Sequence, residues 1–185
     1  MTTMAKTETS KTYAMTTIAL MAAVLCVVGP FTIPVGPVPV SVAPLVIFLS
    51  VYILGTKNGT ISVLLYLLIG AVGVPVFSGF AGGFGKIAGP TGGYLLGYVL
   101  MALIAGWFIH RYYDRIVVQF LGMVLGLAVL YAFGTAWLAY SAGMSFGAAL
   151  AAGVLPFIIP DLIKIAIAIA LGRTIRGRLV SGGIL

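Results

Sequence analysis

The chain has 185 residues, 62% of them hydrophobic and only 7% charged, with a formal net charge of +7. A soluble domain carries about 25% charge, so this composition excludes a water-soluble globule and predicts one all-α integral membrane domain. Most of the basic residues sit in short connections and termini, without runs of interleaved aromatics. That excludes a nucleic-acid surface and makes them topology signals.

Six spans are predicted in chain order. The first covers about residues 13–28. Lys6 and Lys11 precede its apolar run Ile18–Val28, as in a signal peptide. Leu25 is too bulky for a lipoprotein cleavage site before Cys26, and no A-x-A-like site occurs before Pro30, so the segment reads as a retained helix. Cys26, the only cysteine, reads as a small core residue. Gly29-Pro30 ends the span. Prolines 34, 37 and 39 then make Thr32–Ser41 non-helical, because each removes a donor and restrains its neighbour. A short second span, 42–54, leads through the turn Gly55–Gly59 into a third, 60–74. Asn58-Gly59-Thr60 matches a glycosylation sequon but reads as part of that turn.

A Gly-rich loop, Pro75–Gly93, follows. It lacks the first glycine and the Ser/Thr of a phosphate-binding P-loop, since Phe80 and Ile87 stand there. Gly83-Phe84-Gly85 with Ala88 loosely fits a dinucleotide fingerprint without the strand that motif requires. Backbone in such a loop can still approach a ligand closely. Lys86 adds a positive charge, and the amides of Gly92 and Gly93 open the next helix, where they suit an anion. The fourth span is 94–109 and the fifth 117–140, followed by an uncharged loop Ser141–Gly153. Trp107, Tyr112, Tyr113, Trp137 and Tyr140 fall near span ends, as interfacial aromatics do, and Tyr140 has a second reading as a pocket residue.

The sixth span, 154–171, reads VLPFIIPDLIKIAIAIAL. Asp161 and Lys164 lie three apart in it, on one helical face. A charge at this depth costs on the order of 3 kcal/mol or more in lipid, so the pair predicts a polar site inside the bundle. Pro156 and Pro160 free carbonyls nearby, as where a broken helix lines a cavity. A structural ion pair is the plainer reading of the same residues.

With the N-terminus inside, Lys6, Lys11, Lys57, Arg111, Arg115, Arg173, Arg176 and Arg178 are cytoplasmic and Lys86 is outside. The opposite orientation inverts this bias, so both termini are predicted to be cytoplasmic. Asp161 then lies about 10 Å from the outer end of its helix, beneath both irregular loops. Three small-x-x-x-small pairs, Ala19/Ala23, Gly93/Gly97 and Gly122/Gly126, permit close helix contact. His110 is the only histidine and has no acid cluster, so no metal site and no cofactor are predicted, and an enzyme is not expected.

The run Gly89–Gly97 (GPTGGYLLG), Pro75-Val76-Phe77, Pro37–Ser41 (PVPVS) and Pro160-Asp161 with Lys164 together resemble the BioY family. Its members are biotin-binding S-components of bacterial energy-coupling factor (ECF) transporters. The resemblance covers nearly the whole chain and implies a six-helix S-component bundle in the cell membrane that captures biotin outside. It also implies a transmembrane coupling protein and two cytoplasmic ATPase subunits as partners, docking on Ala19 and Ala23. On this reading Asp161 and Lys164 meet the ureido ring, and Lys86, Gly92 and Gly93 hold the carboxylate. Phe77, Phe80, Tyr94 and Tyr140 cover the thiophane. An S-component for another vitamin, a solitary proton-coupled carrier and a purely structural subunit are the alternatives.

Overall fold

The computed structural model describes residues 11–35 and 37–182; Lys6 lies outside them. Helix α1 (Lys11–Val28) ends where Gly29 lets the chain pass close to its neighbours. A Cβ on Gly29 would come within 2.8 Å of both the Leu25 carbonyl and the Tyr66 hydroxyl. The proline-rich segment is non-helical, as expected, and it departs from an all-α reading. It folds as a ribbon of two short antiparallel strands, β1 (Thr32–Ile33) and β2 (Val40–Ser41), with Thr32 opposite Ser41.

Helix α2 (Ala43–Ala71) has two arms. Gly55 between them has φ 86° and ψ 166°, a combination open essentially to glycine alone. The second arm doubles back on the first, since a Cβ on Gly59 would lie 2.8 Å from the Val51 backbone. The remaining elements are α3 (Phe84–Ala88), α4 (Gly92–Arg111), α5 (Ile116–Ala142), α6 (Phe146–Gly153) and α7 (Ile158–Ser181), with a 3-10 turn at Leu155–Phe157.

Among the described residues, five helical stretches are long and apolar enough to cross a membrane: α1, α2, α4, α5 and the stretch from α6 through α7. Because α2 doubles back, its arms carry the predicted second and third spans, and all six predicted segments are present. Three details differ. The third span stops at Ala71, short of 74, and Gly73 beyond it takes a positive φ of 111°. The supposed loop 141–153 contains α6, whose N-terminus is capped by the Ser145 hydroxyl accepting from the Ala148 amide at 3.3 Å. The Gly-rich loop contains the single turn α3.

Close packing of α4 on α5 relies on glycine. Gly93 lies against Trp137, Gly97 against Leu130, and Gly122 against Phe108. The predicted Gly93/Gly97 and Gly122/Gly126 pairs thus serve packing within the bundle. By contrast α1 buries only Ala22 and Leu25 among its side chains. Met15, Leu20 and Val27 stay exposed on it, an apolar surface suited to lipid.

One end of the bundle is basic and tightly tied. Arg173 donates to the Tyr113 carbonyl at 2.7 Å and Arg176 to the Tyr52 carbonyl at 2.9 Å. Gln119, fully buried, accepts from the Tyr52 hydroxyl at 2.5 Å and donates to the Tyr112 and Tyr113 carbonyls. His110 bonds the Val51 carbonyl at 2.9 Å through Nε2, so its role here is structural. Lys86 sits at the opposite end, on α3 beside the start of α4.

Candidate functional site

Between the ribbon and helices α4, α5 and α7 lies a cavity with two adjoining lobes that share five lining residues. The inner lobe holds about 40 Å³ and the outer about 30 Å³, each room for a few water molecules. Val38, Pro39, Ser41, Tyr94 and Tyr98 line both. The inner lobe is completed by Tyr131, Phe157, Asp161 and Lys164, and the outer by Tyr66, Ser78 and Thr91.

Asp161 and Lys164 form the floor of the inner lobe. Their charged atoms are 2.6 Å apart, and their side chains are only 5% and 12% exposed. Both carboxylate oxygens are engaged: Oδ1 accepts from Lys164, and Oδ2 accepts from the Tyr131 hydroxyl at 2.5 Å. Lys164 also donates to the Ser41 carbonyl at 2.6 Å, tying the floor to the ribbon. This is the one ion pair among the described residues. Pairing together with these further hydrogen bonds is what makes such burial tolerable.

The helix break falls at one of the two prolines, Pro156. It lies at Val154–Phe157, and Pro160 is accommodated inside the first turn of α7. Asp161 is therefore a first-turn residue of α7, where the positive end of the helix dipole favours its negative charge. Local sequence thus puts the acid at a helix start, and α5 brings the tyrosine that holds it.

Tyr94 forms a wall shared by the lobes. Its hydroxyl donates to the Gly153 carbonyl at 3.2 Å and lies 3.3 Å from the Thr135 hydroxyl. Gly134 and Gly153 leave room for its ring and hydroxyl. The other predicted residues are placed differently. Phe77 is fully buried behind the outer lobe, edge-on to Tyr66 at 5.5 Å, and supports the wall without lining it. Phe80 is 61% exposed, packs edge-on against Phe31 at 5.5 Å, and lines a separate open hollow that shares Ser41 and Lys164 with the inner lobe. Tyr140 is 89% exposed and lies outside the cavity.

Gly92 and Gly93 are buried packing positions. The Gly92 amide already donates to the Gly89 carbonyl at 2.9 Å, and Gly93 abuts Trp137. Neither they nor Lys86 line the lobes; Thr91 is the residue of that turn that does. Tyr98, Tyr131 and the Ser41 carbonyl escaped the sequence reading. Two signals were available. Tyr98 lies one turn from Tyr94 on the same face, and a tyrosine hydroxyl deep in an apolar helix needs a partner.

The cavity thus offers a carboxylate, an ammonium and several hydroxyls within apolar, largely aromatic walls. That chemistry suits a small ligand with both hydrogen-bond donors and acceptors on an apolar frame. Known proteins point the same way. A "Probable biotin transporter BioY" of Pyrococcus horikoshii is 39% identical over 86% of this chain and 94% of its own length. A "Biotin transporter BioY" of Thermotoga maritima is 40% identical over 78% of this chain and 85% of its own. The fold matches a crystal structure of the S-component for biotin from an ECF-type ABC transporter, with a TM-score of 0.85 and 28% identity. That match covers 94% of this chain and 95% of the other. The BioY family model matches residues 1–180, and the chain belongs to that family.

Proposed function

We propose that this chain is the biotin-binding S-component of an ECF transporter, a multi-pass membrane protein that captures biotin outside the cell. The observation that carries the reading is the buried Asp161–Lys164–Tyr131 cluster at the floor of the cavity. Positive charge concentrated at the opposite end of the bundle makes that end cytoplasmic.

Asp161 accepts a ureido N–H in a charge-assisted bond. Lys164 has three donors, two already directed at Asp161 and Ser41, and its third reaches the ureido oxygen. Tyr94 and Tyr98 cover the thiophane. The tail points into the outer lobe, where Ser78 and Thr91 supply hydroxyls for the carboxylate. Ligand pockets run to about 300–1,000 Å³, well above the two lobes, so entry requires the β1–β2 ribbon to lift. The phenyl contact between Phe31 and Phe80 is what that motion breaks.

Equilibrium titration of the purified chain tests this assignment. Biotin should bind tightly, and a ureido-alkylated analogue should lose at least ~1–3 kcal/mol, the cost of an unpaired buried group. An analogue amidated at the tail should be weakened in wild type but little further in Ser78→Ala/Thr91→Val. Equal binding of biotin and the ureido-alkylated analogue would remove the floor from the site.

Energy for uptake comes from a coupling protein and two ATPase subunits. Ala19 and Ala23 are exposed on α1, the helix with the least buried surface, and form the docking stripe. Ala19→Trp and Ala23→Trp should leave biotin binding by the isolated chain unchanged while abolishing copurification with the coupling protein. Retained copurification would move docking to another face.

A further inference from the structure

The basic end carries a second pair of features that biotin capture does not use. At the turn between α4 and α5, Arg111, Tyr112, Tyr113, Asp114 and Arg115 surround an open hollow of about 310 Å³. Arg173 and Arg176 reach the same turn from α7, their guanidinium carbons 5.1 and 5.6 Å from the centre of the Tyr113 ring. Four arginines thus meet one aspartate, and Asp114 forms no salt bridge among the described residues. Arg111 and Arg115 make no side-chain hydrogen bond among those residues. Arg173 and Arg176 each commit one nitrogen to a carbonyl, leaving most of each five-donor fork open.

Directly below, the chemistry changes sign. Ile116, Val117 and Phe120 of α5 face Ala166 and Ile169 of α7 across an apolar groove of about 350 Å³. Arg115 and Ile116 are consecutive, so hollow and groove adjoin. On α7, residues 166, 169, 173 and 176 follow one helical stripe, so the apolar floor of the groove runs into the two arginines. A cationic hollow set on a narrow apolar groove at a membrane interface matches one occupant: a phosphate headgroup with an acyl chain attached.

We propose that the basic end holds an anionic phospholipid, its phosphate among Arg111, Arg115 and Arg173 and one acyl chain between α5 and α7. Arginine suits this role because its planar fork meets phosphate oxygens two at a time. A bound lipid would fasten α5 to α7 at their cytoplasmic ends, where Arg173 and Arg176 bond the Tyr113 carbonyl of the α4–α5 turn and the Tyr52 carbonyl of α2.

Native mass spectrometry of the purified full chain tests the site. Dioleoyl phosphatidylglycerol should be retained at least about fivefold better than dioleoyl phosphatidylcholine, the effect expected of about one arginine at a membrane surface. Arg111→Gln/Arg115→Gln should bring that preference close to unity. Ala166→Phe, filling the groove, should expel the lipid, and both variants should bind biotin as wild type does. Glycerol phosphate should compete poorly, since it has no chain for the groove. Equal retention of the two lipids, an unchanged preference in the arginine variant, or full displacement by glycerol phosphate would each overturn the proposal.

Discussion

Lys164→Ala should unfold the site as well as empty it. The substitution leaves Asp161, 5% exposed, with a tyrosine and no cation. Removing one partner of a buried ion pair costs about 3–5 kcal/mol, because the remaining charge stays buried and uncompensated. It also cuts the Ser41 bond that ties α7 to the ribbon. Thermal unfolding in detergent without ligand should show the loss, and biotin titration should show a further one. Asp161→Asn should be milder in stability, since Lys164 keeps the Ser41 carbonyl, but comparable in affinity. The informative variant is the double replacement Asp161→Leu/Lys164→Met. Neutral residues of similar size remove both charges, so stability should return towards wild type while biotin binding stays absent. If either single variant binds biotin like wild type, the pair is a structural brace and the ligand lies elsewhere.

Gly134→Ala should lower stability and biotin affinity together. A Cβ at this position would sit 2.6 Å from Tyr94 Cγ and closer still to two other ring carbons. The ring is hemmed in, because its hydroxyl is tied at Gly153 and Thr135 and a Cβ on Gly153 would strike that hydroxyl. Overpacking of this kind costs about 1–3 kcal/mol. Here it also pushes Tyr94 into the cavity that it walls, so affinity and melting temperature should fall together. Tyr94→Phe separates the two effects: it keeps the ring, loses the hydroxyl's contacts with Gly153 and Thr135, and should cost about 1–3 kcal/mol in stability while leaving the wall in place. A Gly134→Ala protein with unaltered biotin affinity would mean that Tyr94 is not a wall of the ligand site.

Spans were legible because each is an apolar run bounded by charge, glycine or proline, and lipid makes that pattern decisive. Asp161 and Lys164 were legible for the same reason, as charges where the medium penalises them. What the sequence hid depends on approach between distant segments. Tyr131 is one aromatic among many apolar residues of α5 until α7 sets a carboxylate against it. The Ser41 carbonyl is backbone and has no sequence signature. Helix α6 was hidden because Phe146–Gly153 is small, glycine-containing and without charge, so only Ser145 announces its start. Tyr140 misled because interfacial and pocket tyrosines share the same helix-end position. Lys86, Gly92 and Gly93 followed a sound rule about anions at helix starts, but here Ile87 and Gly89 occupy the space and the amide that the rule invokes.

Two bonds from α7 reach back across more than half the chain: Lys164 to Ser41, separated by 123 positions, and Arg176 to Tyr52, separated by 124. Neither can form until α7 has left the ribosome. Until then the ribbon has nothing beneath it and the Tyr131 hydroxyl has no acid to hold. Contacts of such long sequence separation are slow to close. The capture site is therefore assembled only once α7 has been made, and a nascent chain arrested before α7 is a membrane-inserted bundle that cannot recognise its ligand.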